Sequence, residues 1–402
     1  MNTRSDAHEG SLLPIFLLSA AGFTILTTEF VIVGLLPTMA KALHVRVSQA
    51  GLLVTLFAMT VGVVGPPLTA RVAHYERKTL FVCTLLLFAL SNALAAVSPN
   101  IAVMAVARFI PALMLPVFWA LASETSMRIM GPEHTGKAVS MVNFGIVAAT
   151  IFGIPIGTLI SDRFGWRTTF AVIAVLALIK AVLLIVFLPA IQGNRERVPV
   201  WRQMSILRES KVSGHVLLSL LVYAGMFTAY TYLADILGKL GGFSGTAVGW
   251  ILMGFGGVGL LGNWLGGHFV DRHPLRASIL FCVPLAIALL LLVPLIKSPI
   301  GLALVLAVWG TCHAALFTIS HTRVMKAAAS TPALGASLNV SGANFGIAFG
   351  ALLGSRVIDF AGLGKVTVAA TVIVALAIAA AAFAISTKSR KVPRGNPAPK
   401  LT

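Results

Sequence analysis

The tetrapeptide NFGI stands at residues 143–146 and again at residues 344–347, with a serine three positions before the asparagine in both copies. The copies lie 201 residues apart in a chain of 402 residues. A motif that returns after half the chain length indicates that the chain contains two related halves.

Each copy belongs to a longer stripe of small residues spaced four positions apart, so that they share one helix face. The stripe consists of Gly145, Ala149, Gly153 and Gly157 in the first half and of Gly342, Gly346, Gly350 and Gly354 in the second. Small residues at this spacing let a neighbouring helix backbone approach closely in a membrane. Glycine is frequent in membrane helices generally, but repetition of the stripe at the half-chain interval favours a packing role.

The composition places the chain in a lipid bilayer. Hydrophobic residues make up 58% of it and charged residues 10%, against roughly 25% charged residues in soluble domains. Apolar runs long enough to cross about 30 Å of hydrocarbon as helices recur along the whole sequence. We predict an all-α polytopic membrane protein with twelve spans, numbered 1 to 12 in chain order, at residues 12–38, 48–70, 79–98, 100–124, 138–160, 168–189, 213–236, 246–270, 275–296, 299–322, 333–356 and 363–386.

Three features narrow this class further. The first run is longer than the apolar core of a secretory signal and lacks a convincing cleavage site, which indicates a retained helix. The runs are continuous rather than alternating, which argues against a membrane β-barrel. All three cysteines fall within apolar runs, so a disulfide framework of the secreted kind is not supported.

The distribution of positive charge predicts the orientation. With an even number of spans, the terminal segments and every second loop carry 20 of the 30 lysines and arginines. A basic excess marks the cytoplasmic side of a membrane protein, so we expect both termini to be cytoplasmic. The net charge of +18 is then explained by orientation and by anionic lipid headgroups, and it does not indicate nucleic-acid binding.

The longest hydrophilic segment divides the chain into six spans and six spans. We expect an N-terminal bundle at residues 1–190, a cytoplasmic linker at 191–212 and a C-terminal bundle at 213–402. Within the linker, Trp201, Met204 and Leu207 share a helical face amid arginines. Both a short helix at the membrane interface and a solvated linker fit this pattern.

The repeat itself indicates a function class. Spans 5 and 11 occupy equivalent places and start from the same side of the membrane, which makes the halves parallel repeats about an axis along the membrane normal. Two such halves with a binding site at the midplane are typical of secondary transporters that work by alternating access.

Further motifs carry a resemblance to a known family. The turn between spans 8 and 9 reads GHFVDR at residues 267–272, and the turn between spans 2 and 3 reads GPPLTAR at residues 65–71. Together with TTEFVIVGLLP in span 1, GIPIGT and FGWRTTF around the end of span 5, and NFGIAFGALLG in span 11, they resemble the major facilitator superfamily. The similarity is strongest to its twelve-helix drug:proton antiporters, in the sugar-efflux and chloramphenicol-resistance branch.

This resemblance implies a fold of two pseudo-symmetric six-helix bundles, a small-molecule substrate, coupling to protons without a bound cofactor, and a monomer in the bacterial inner membrane. It also implies conformational roles for the turn and span 5 residues, namely Arg71, Gly267, Asp271, Arg272, Gly153, Pro155 and Gly157. At two positions the sequence departs from the motifs of this family. Ala70 replaces the aspartate expected before Arg71, so the charge relay of that turn is expected only in the second half. Ile154 separates Gly153 from Pro155, which argues against generic multidrug export more strongly than against efflux itself.

Two charged residues lie inside predicted spans. Glu29 in span 1 is about nine residues from the outer end and Arg108 in span 4 about eight, so they share a depth. Ionisable groups inside a membrane cost about 3 kcal/mol each on insertion scales and usually mark function. We expect Glu29 and Arg108 to couple transport to protons; a static pair that fixes helix packing is the alternative.

The second half places aromatic residues where the first places charges. Adding 201 to Glu29 gives Tyr230, and adding 201 to Arg108 gives Trp309. Tyr223, Phe227 and Tyr230 share a face of span 7, as Trp309, His313 and Phe317 do in span 10. Aromatic stripes more often serve packing, but the hydroxyl, imidazole and indole groups favour a polar cavity.

We therefore expect substrate contacts mainly in the second half. The candidate substrate-binding residues are Trp119, Asn143, Tyr223, Phe227, Tyr230, Trp309, His313 and Asn344. For the two asparagines, hydrogen bonds between helices are an equally good explanation.

The buried charges, the aromatic stripes and the family resemblance together favour proton-coupled export of a small sugar-like or drug-like solute. Facilitative or proton-coupled sugar uptake and broader multidrug export remain open alternatives. No catalytic, nucleotide-binding or metal-binding motif occurs in the sequence, which argues against an enzyme. A channel would require symmetric polar rings, whereas the polar residues here differ between the halves.

Overall fold

The computed structural model describes residues 12–131, 135–193, 208–271, 273–328 and 332–390. It contains twelve helices that are long and apolar enough to cross a membrane. Spans 1 to 6 comprise Leu13–Ala42, Val47–Val72, Arg77–Ala96, Ile101–Met130, Thr135–Phe164 and Trp166–Phe187. Spans 7 to 12 comprise Ser210–Gly241, Gly245–Val270, Pro274–Leu295, Pro299–Ala327, Pro332–Ala361 and Val366–Arg390.

The predicted fold class is confirmed, and the helices differ from the prediction mainly at their ends. Span 10 continues to Ala327 and span 11 to Ala361, each five residues beyond the predicted limit. Hydropathy locates the hydrocarbon-facing part of a helix, whereas main-chain hydrogen bonding continues into the interface. The predicted interfacial helix of the linker falls within residues 194–207, outside the described residues.

Residues that favour helix ends stand at the ends of several spans. Asn100 caps span 4 by accepting a hydrogen bond from the Val103 amide at 3.0 Å, as polar N-cap residues do. Spans 4, 5, 7 and 11 each end at a glycine with a positive φ of 80–86°, a conformation that glycine adopts without steric cost.

Two spans are interrupted. Span 5 contains a π-helical turn at Ala149–Gly153 between two α-helices. Span 7 leaves the α-helix after Tyr230 and continues through Leu233–Asp235 into a π-helical turn at Ile236–Gly241. Such turns are frequent at functional sites, and both lie in spans that contribute to the contact between the halves.

The glycine stripes pack the two halves in the same way. A Cβ atom built on Gly145 would overlap the carbonyl oxygen of Ser19 in span 1, and one built on Gly346 would overlap the carbonyl of Leu220 in span 7. Both glycines and both partners are 201 residues apart. The offset therefore holds for spans 1 and 7 as well as for spans 5 and 11, and Tyr230 is the equivalent of Glu29.

The halves meet along span 2 with span 11 and along span 5 with span 8. We call the side at which span 1 begins the terminal face and the other side the opposite face. At the opposite face, Asp359 of span 11 accepts hydrogen bonds from Arg46 at 2.9 Å and from Ser48 at 2.6 Å, and Thr246 bonds to Asp162. These polar contacts close the opposite face.

Spans 1 and 7 lie at the centre of the molecule. In each, 78% of the most apolar window is buried, against 22% in span 12. Large apolar side chains such as Phe360 and Ile300 project outward, as expected for a surface in contact with lipid. Residues of spans 1 and 7 are therefore the best placed to line a central site.

Candidate functional site

The expected proximity of Glu29 and Arg108 is confirmed. Arg108 is 2% exposed, and its guanidinium donates hydrogen bonds to the main-chain carbonyls of Thr28 and Glu29, the second at 2.7 Å. Its central carbon also lies 4.5 Å from the ring centroid of Phe57 in span 2. Arg108 thus fixes span 4 to span 1 at the level of Glu29.

The shared depth of Glu29 and Arg108 suggests a charge pair, but the Glu29 carboxylate does not form a salt bridge with Arg108. The Glu29 side chain is 8% exposed, and none of the salt bridges among the described residues joins it to Arg108. Because Arg108 directs its donors at the backbone, the cation stays close to the carboxylate without occupying its oxygens. The link between the two spans therefore does not depend on the Glu29 carboxylate.

The polar surroundings of Glu29 continue along span 1. The Asn92 amide of span 3 donates to the hydroxyl of Thr28 at 3.2 Å. The hydroxyl of Thr27 is buried and has no partner within the described part of the chain. Buried polar groups are nearly always hydrogen-bonded in native proteins, so the Thr27 hydroxyl, which lies against Gly153 of span 5, is an exception.

The predicted aromatic residues of the second half meet in one cluster. His313 is at its centre, with ring centroids 4.7 Å from Tyr230, 5.4 Å from Phe317 and 5.6 Å from Phe227. We call this set the aromatic cluster; it consists of Tyr223, Phe227, Tyr230, Phe255, Trp309, His313 and Phe317.

The aromatic cluster contains polar atoms that packing alone does not require. The Nδ1 atom of His313 and the Nε1 atom of Trp309 are buried without a hydrogen-bond partner among the described residues. A tryptophan or histidine used only as filler would normally satisfy these groups. The arrangement instead offers donors and ring faces to a solute with both apolar and polar parts.

The aromatic cluster adjoins the region of Glu29. The ring centroid of Phe30, which follows Glu29 in span 1, lies 5.8 Å from that of Phe227 in span 7. A small solute between the halves would therefore touch the aromatic cluster on one side and the Glu29 region on the other.

The remaining candidate binding residues lie apart from this cluster. Trp119 stacks edge-on against Phe118 and lies beside Gly22 of span 1, within the first half. Asn344 is buried and donates to the Val340 carbonyl at 2.9 Å, while its side-chain oxygen has no partner among described groups. The side chain of Asn143 lies outside the described part of the structure.

The span 5 residues named for conformational roles pack on span 1. A Cβ on Gly153 would overlap the Thr27 hydroxyl, and one on Gly157 would overlap a methyl group of Val31. Pro155 follows the π-helical turn as the second residue of the next α-helical segment, where its missing N–H costs little.

The residues of the two turns, between spans 2 and 3 and between spans 8 and 9, differ in their contacts. Asp271 accepts a hydrogen bond from Lys326 of span 10 at 2.9 Å, so the second-half turn has its ionic contact. Arg71 is exposed, and Arg272 lies outside the described residues. A Cβ on Gly267 would meet nothing within 4 Å, so packing in this conformation does not require glycine there.

Sequence reasoning missed several residues. Phe30 and Phe255 belong to no aromatic stripe, and only the fold brings them to the cluster. Arg77 and Arg323 lie just outside the predicted spans at 79–98 and 299–322, where basic residues indicate loops, yet both belong to helices and are at most 1% exposed. Arg77 pairs with Glu124 at 2.8 Å, and the spacing of Glu124 and Arg128 on one helix was the available signal for an ionic cluster.

The site offers no metal centre among the described residues, since no group of three or more histidine, cysteine or acidic side chains converges there. It consists of a buried carboxylate next to a polar aromatic surface. Both lie where spans of the first half contact spans of the second half.

The comparisons with known proteins agree with this architecture. The family model described as Major Facilitator Superfamily matches residues 18–333 and 216–402. The inner membrane transport protein YdhP of Escherichia coli K12 is 31% identical over 351 residues, covering 87% of this chain and 90% of YdhP. The uncharacterized MFS-type transporter YtbD of Bacillus subtilis is 30% identical over 365 residues, covering 89% and 92% of the two chains.

Solved structures show the same fold at low sequence identity. The D-xylose-proton symporter aligns with a TM-score of 0.75 and 16% identity over 92% of this chain and 97% of its own. A bacterial homolog of the human lysosomal transporter Spinster, in an inward-facing and unoccupied conformation, aligns with a TM-score of 0.71 and 16% identity over 96% and 98%.

Proposed function

Because the chain belongs to the major facilitator superfamily, whose members are membrane transporters rather than enzymes, we propose that it exports a small sugar-like or drug-like solute in exchange for protons. It is a multi-pass membrane protein that binds a small molecule. Its similarity to an inner membrane transport protein supports a location in the bacterial inner membrane. The basic excess in the terminal segments and every second loop supports cytoplasmic termini.

One observation carries the proton-coupling proposal. The Glu29 carboxylate is buried at the centre of the molecule, and the nearby Arg108 binds the main chain of span 1 instead of the carboxylate. An unpaired carboxylate in a low-dielectric site favours its neutral form, whereas a cation nearby favours the ionised form. Arg108 moves together with Glu29, because spans 1 and 4 belong to one bundle. Movement of the other bundle therefore acts by changing the solvation of the carboxylate, and this change moves one proton.

The cycle then follows from the two positions of the bundles. With the site open outward, Glu29 takes a proton from the more acidic side. After the bundles rock, an arriving solute and Arg108 favour the carboxylate, and the proton leaves inward. The solute binds against the aromatic cluster while Glu29 is ionised, so that export of solute and entry of protons share one cavity.

Glu29→Gln tests this mechanism because the amide keeps the shape of the side chain but cannot lose a proton. Proteoliposomes with an imposed pH gradient should accumulate solute with the wild-type protein and should not with Glu29→Gln, while solute binding and passive exchange persist. Glu76→Gln is the matched control, since Glu76 bonds to Thr79 at the start of span 3 away from the site.

Proton release gives a second measurement. Adding solute to the purified protein in a weakly buffered solution should release protons from the wild type and none from Glu29→Gln. Proton uptake on binding would indicate symport, and an unchanged pH would indicate a uniporter. Gradient-driven accumulation by Glu29→Gln at the wild-type level would place the coupling group elsewhere.

A further inference from the structure

Arg323 of span 10 is a second buried guanidinium, and the transport cycle described above does not use it. It is 1% exposed. Its Nη2 atom donates to the hydroxyl of Ser219 in span 7 at 2.9 Å, and that hydroxyl donates to Asn339 of span 11 at 2.8 Å. The Nε and Nη1 atoms of Arg323 have no partner within the described part of the chain.

None of the ion pairs among the described residues includes Arg323. From residue 208 onward the sequence contains four acidic residues, and three of them pair with other cations: Asp235 with Lys239, Asp271 with Lys326 and Asp359 with Arg46. The fourth, Glu209, stands at the N-cap of span 7. Burying a charge without a partner is costly, so the unsatisfied side of Arg323 favours an anion.

The position of Arg323 connects it to the substrate region. Ser219 lies one helical turn before Tyr223 on the same face of span 7. The Tyr223 ring meets the Phe317 ring of span 10 edge-on at 4.8 Å, and Tyr223 lies beside Asn339. The polar group of Arg323, Ser219 and Asn339 therefore continues the aromatic cluster toward the terminal face.

The hydroxyl of Ser320, one turn before Arg323 on span 10, is fully buried and has no partner among the described residues. Span 10 thus carries three buried polar atoms without a described partner within one helical turn: Ser320 Oγ, Arg323 Nε and Arg323 Nη1. A carboxylate supplies two acceptor oxygens in the geometry that a guanidinium matches.

We propose that Arg323, with Ser219, Ser320 and Asn339, forms a subsite for an oxyanion carried by the transported solute, such as the carboxylate of a sugar acid or an aromatic acid. The inference rests on the proposed transport of a small solute and names its chemical class. The organic part of the solute lies against the aromatic cluster, and the oxyanion reaches Arg323 after the covering side chains move.

Matched pairs of probes test the proposal by equilibrium binding to the purified protein, without any proton gradient. The pairs are glucuronate with glucose and benzoate with benzyl alcohol, at constant ionic strength. We expect the wild type to bind the acid of at least one pair at least tenfold more tightly than its neutral partner. Arg323→Gln should abolish the difference, Arg323→Lys should retain part of it, and Arg276→Gln, which removes an exposed cation in the same half, should retain all of it.

The outcomes separate this proposal from others. No preference for acids in the wild type, or an unchanged preference in Arg323→Gln, would overturn it. Binding of inorganic phosphate or formate with the same dependence on Arg323, without binding of the organic acids, would also overturn it in favour of a free inorganic ion. If Arg323→Gln fails to fold, Ser219→Ala decides: it removes the hydroxyl that holds the guanidinium in place, so the preference for acids should fall severalfold, and an unchanged preference argues against the subsite.

The test also stands apart from the test of proton coupling. Glu29→Gln should keep the Arg323-dependent preference for acids even though it loses gradient-driven transport. Loss of transport with preserved acid binding therefore concerns the coupling mechanism, and loss of acid preference with preserved coupling concerns the subsite.

Discussion

Arg108 makes two kinds of contact that affect different properties of the protein. Its hydrogen bonds to the carbonyls of Thr28 and Glu29 hold spans 1 and 4 together, and its charge acts on the Glu29 carboxylate. Hydrogen bonds that involve a charged group contribute about 1.5–3 kcal/mol each. Loss of these hydrogen bonds should therefore lower the free energy of unfolding, which can be measured without a transport assay.

We expect Arg108→Gln to lower the free energy of unfolding by about 3 kcal/mol, because the shorter neutral side chain cannot reach both carbonyls. Arg108→Lys should lose less, since an ammonium keeps the charge but not the forked geometry. Thermal or denaturant unfolding in micelles measures this, with Lys211→Gln as an exposed-cation control. If Arg108→Gln and Lys211→Gln unfold alike, the main-chain contacts of Arg108 do not stabilise the fold.

At the same scale, the sequence could locate Glu29 and Arg108 because charges are rare inside apolar runs. It could also place Tyr230 and Trp309 in one region, because the offset of 201 residues maps them onto Glu29 and Arg108; in the structure both contact Phe255. It could not find Arg323, since an arginine near the end of a span looks like an interfacial charge. Its burial depends on Ser219 and Asn339, which come from two other spans.

At the scale of the helices, the glycine stripes determine how close span 5 lies to span 1 and span 11 to span 7. Along span 11, a Cβ on Gly346 would overlap the Leu220 carbonyl and lie 2.7 Å from the Cβ of Tyr223. Backbone atoms cannot move aside as a flexible side chain does. The stripe that is visible in the sequence is therefore a packing surface in the structure.

We expect Gly346→Ala to destabilise the protein by about 1–3 kcal/mol through overpacking. Gly257→Ala in span 8 is the matched control, because a Cβ there would meet nothing within 4 Å, and alanine should stabilise that helix by up to about 1 kcal/mol. The yield of folded protein and the unfolding temperature report both effects. Equal effects of the two variants would mean that the close approach of spans 7 and 11 is not needed.

The interruption of span 7 is a feature that the hydropathy pattern does not predict. The predicted span 7 at residues 213–236 contains no proline, so hydropathy predicts one regular helix. In the structure the helix breaks after Tyr230, and the Tyr232 hydroxyl donates to the Ala351 carbonyl of span 11 at 2.8 Å while its ring lies against Gly51 of span 2. This tertiary contact between the halves outweighs the local helical preference.

At the scale of the whole molecule, the repeat of 201 residues predicts the symmetry but not the conformation. Two halves of the same fold can close at either face, and the face that is closed depends on a few polar contacts between residues far apart in sequence. Here Arg46 and Ser48 bond to Asp359, and Asp162 bonds to Thr246. Each of these contacts joins residues from different halves, so no local pattern marks them.

Alternating access requires that the contacts at the opposite face separate once in every cycle. We expect a disulfide between cysteines placed at Ser48 and Asp359, whose side chains are 2.6 Å apart, to stop transport when oxidised and to release it when reduced. The experiment uses a protein in which Cys83, Cys282 and Cys312 are replaced by alanine, and each single cysteine serves as a control. Solute uptake into proteoliposomes and the extent of cross-linking are measured on the same samples.

The physical reason is that a disulfide holds two Cα atoms within about 7 Å, so span 2 cannot move away from span 11 at this face. Binding of solute from the terminal face should persist in the cross-linked protein, because that side remains free to open. Transport at the uncross-linked rate in fully cross-linked samples would show that these spans do not separate during the cycle. The contact of Asp162 with Thr246, between spans 5 and 8, would then be the place where the opposite face opens.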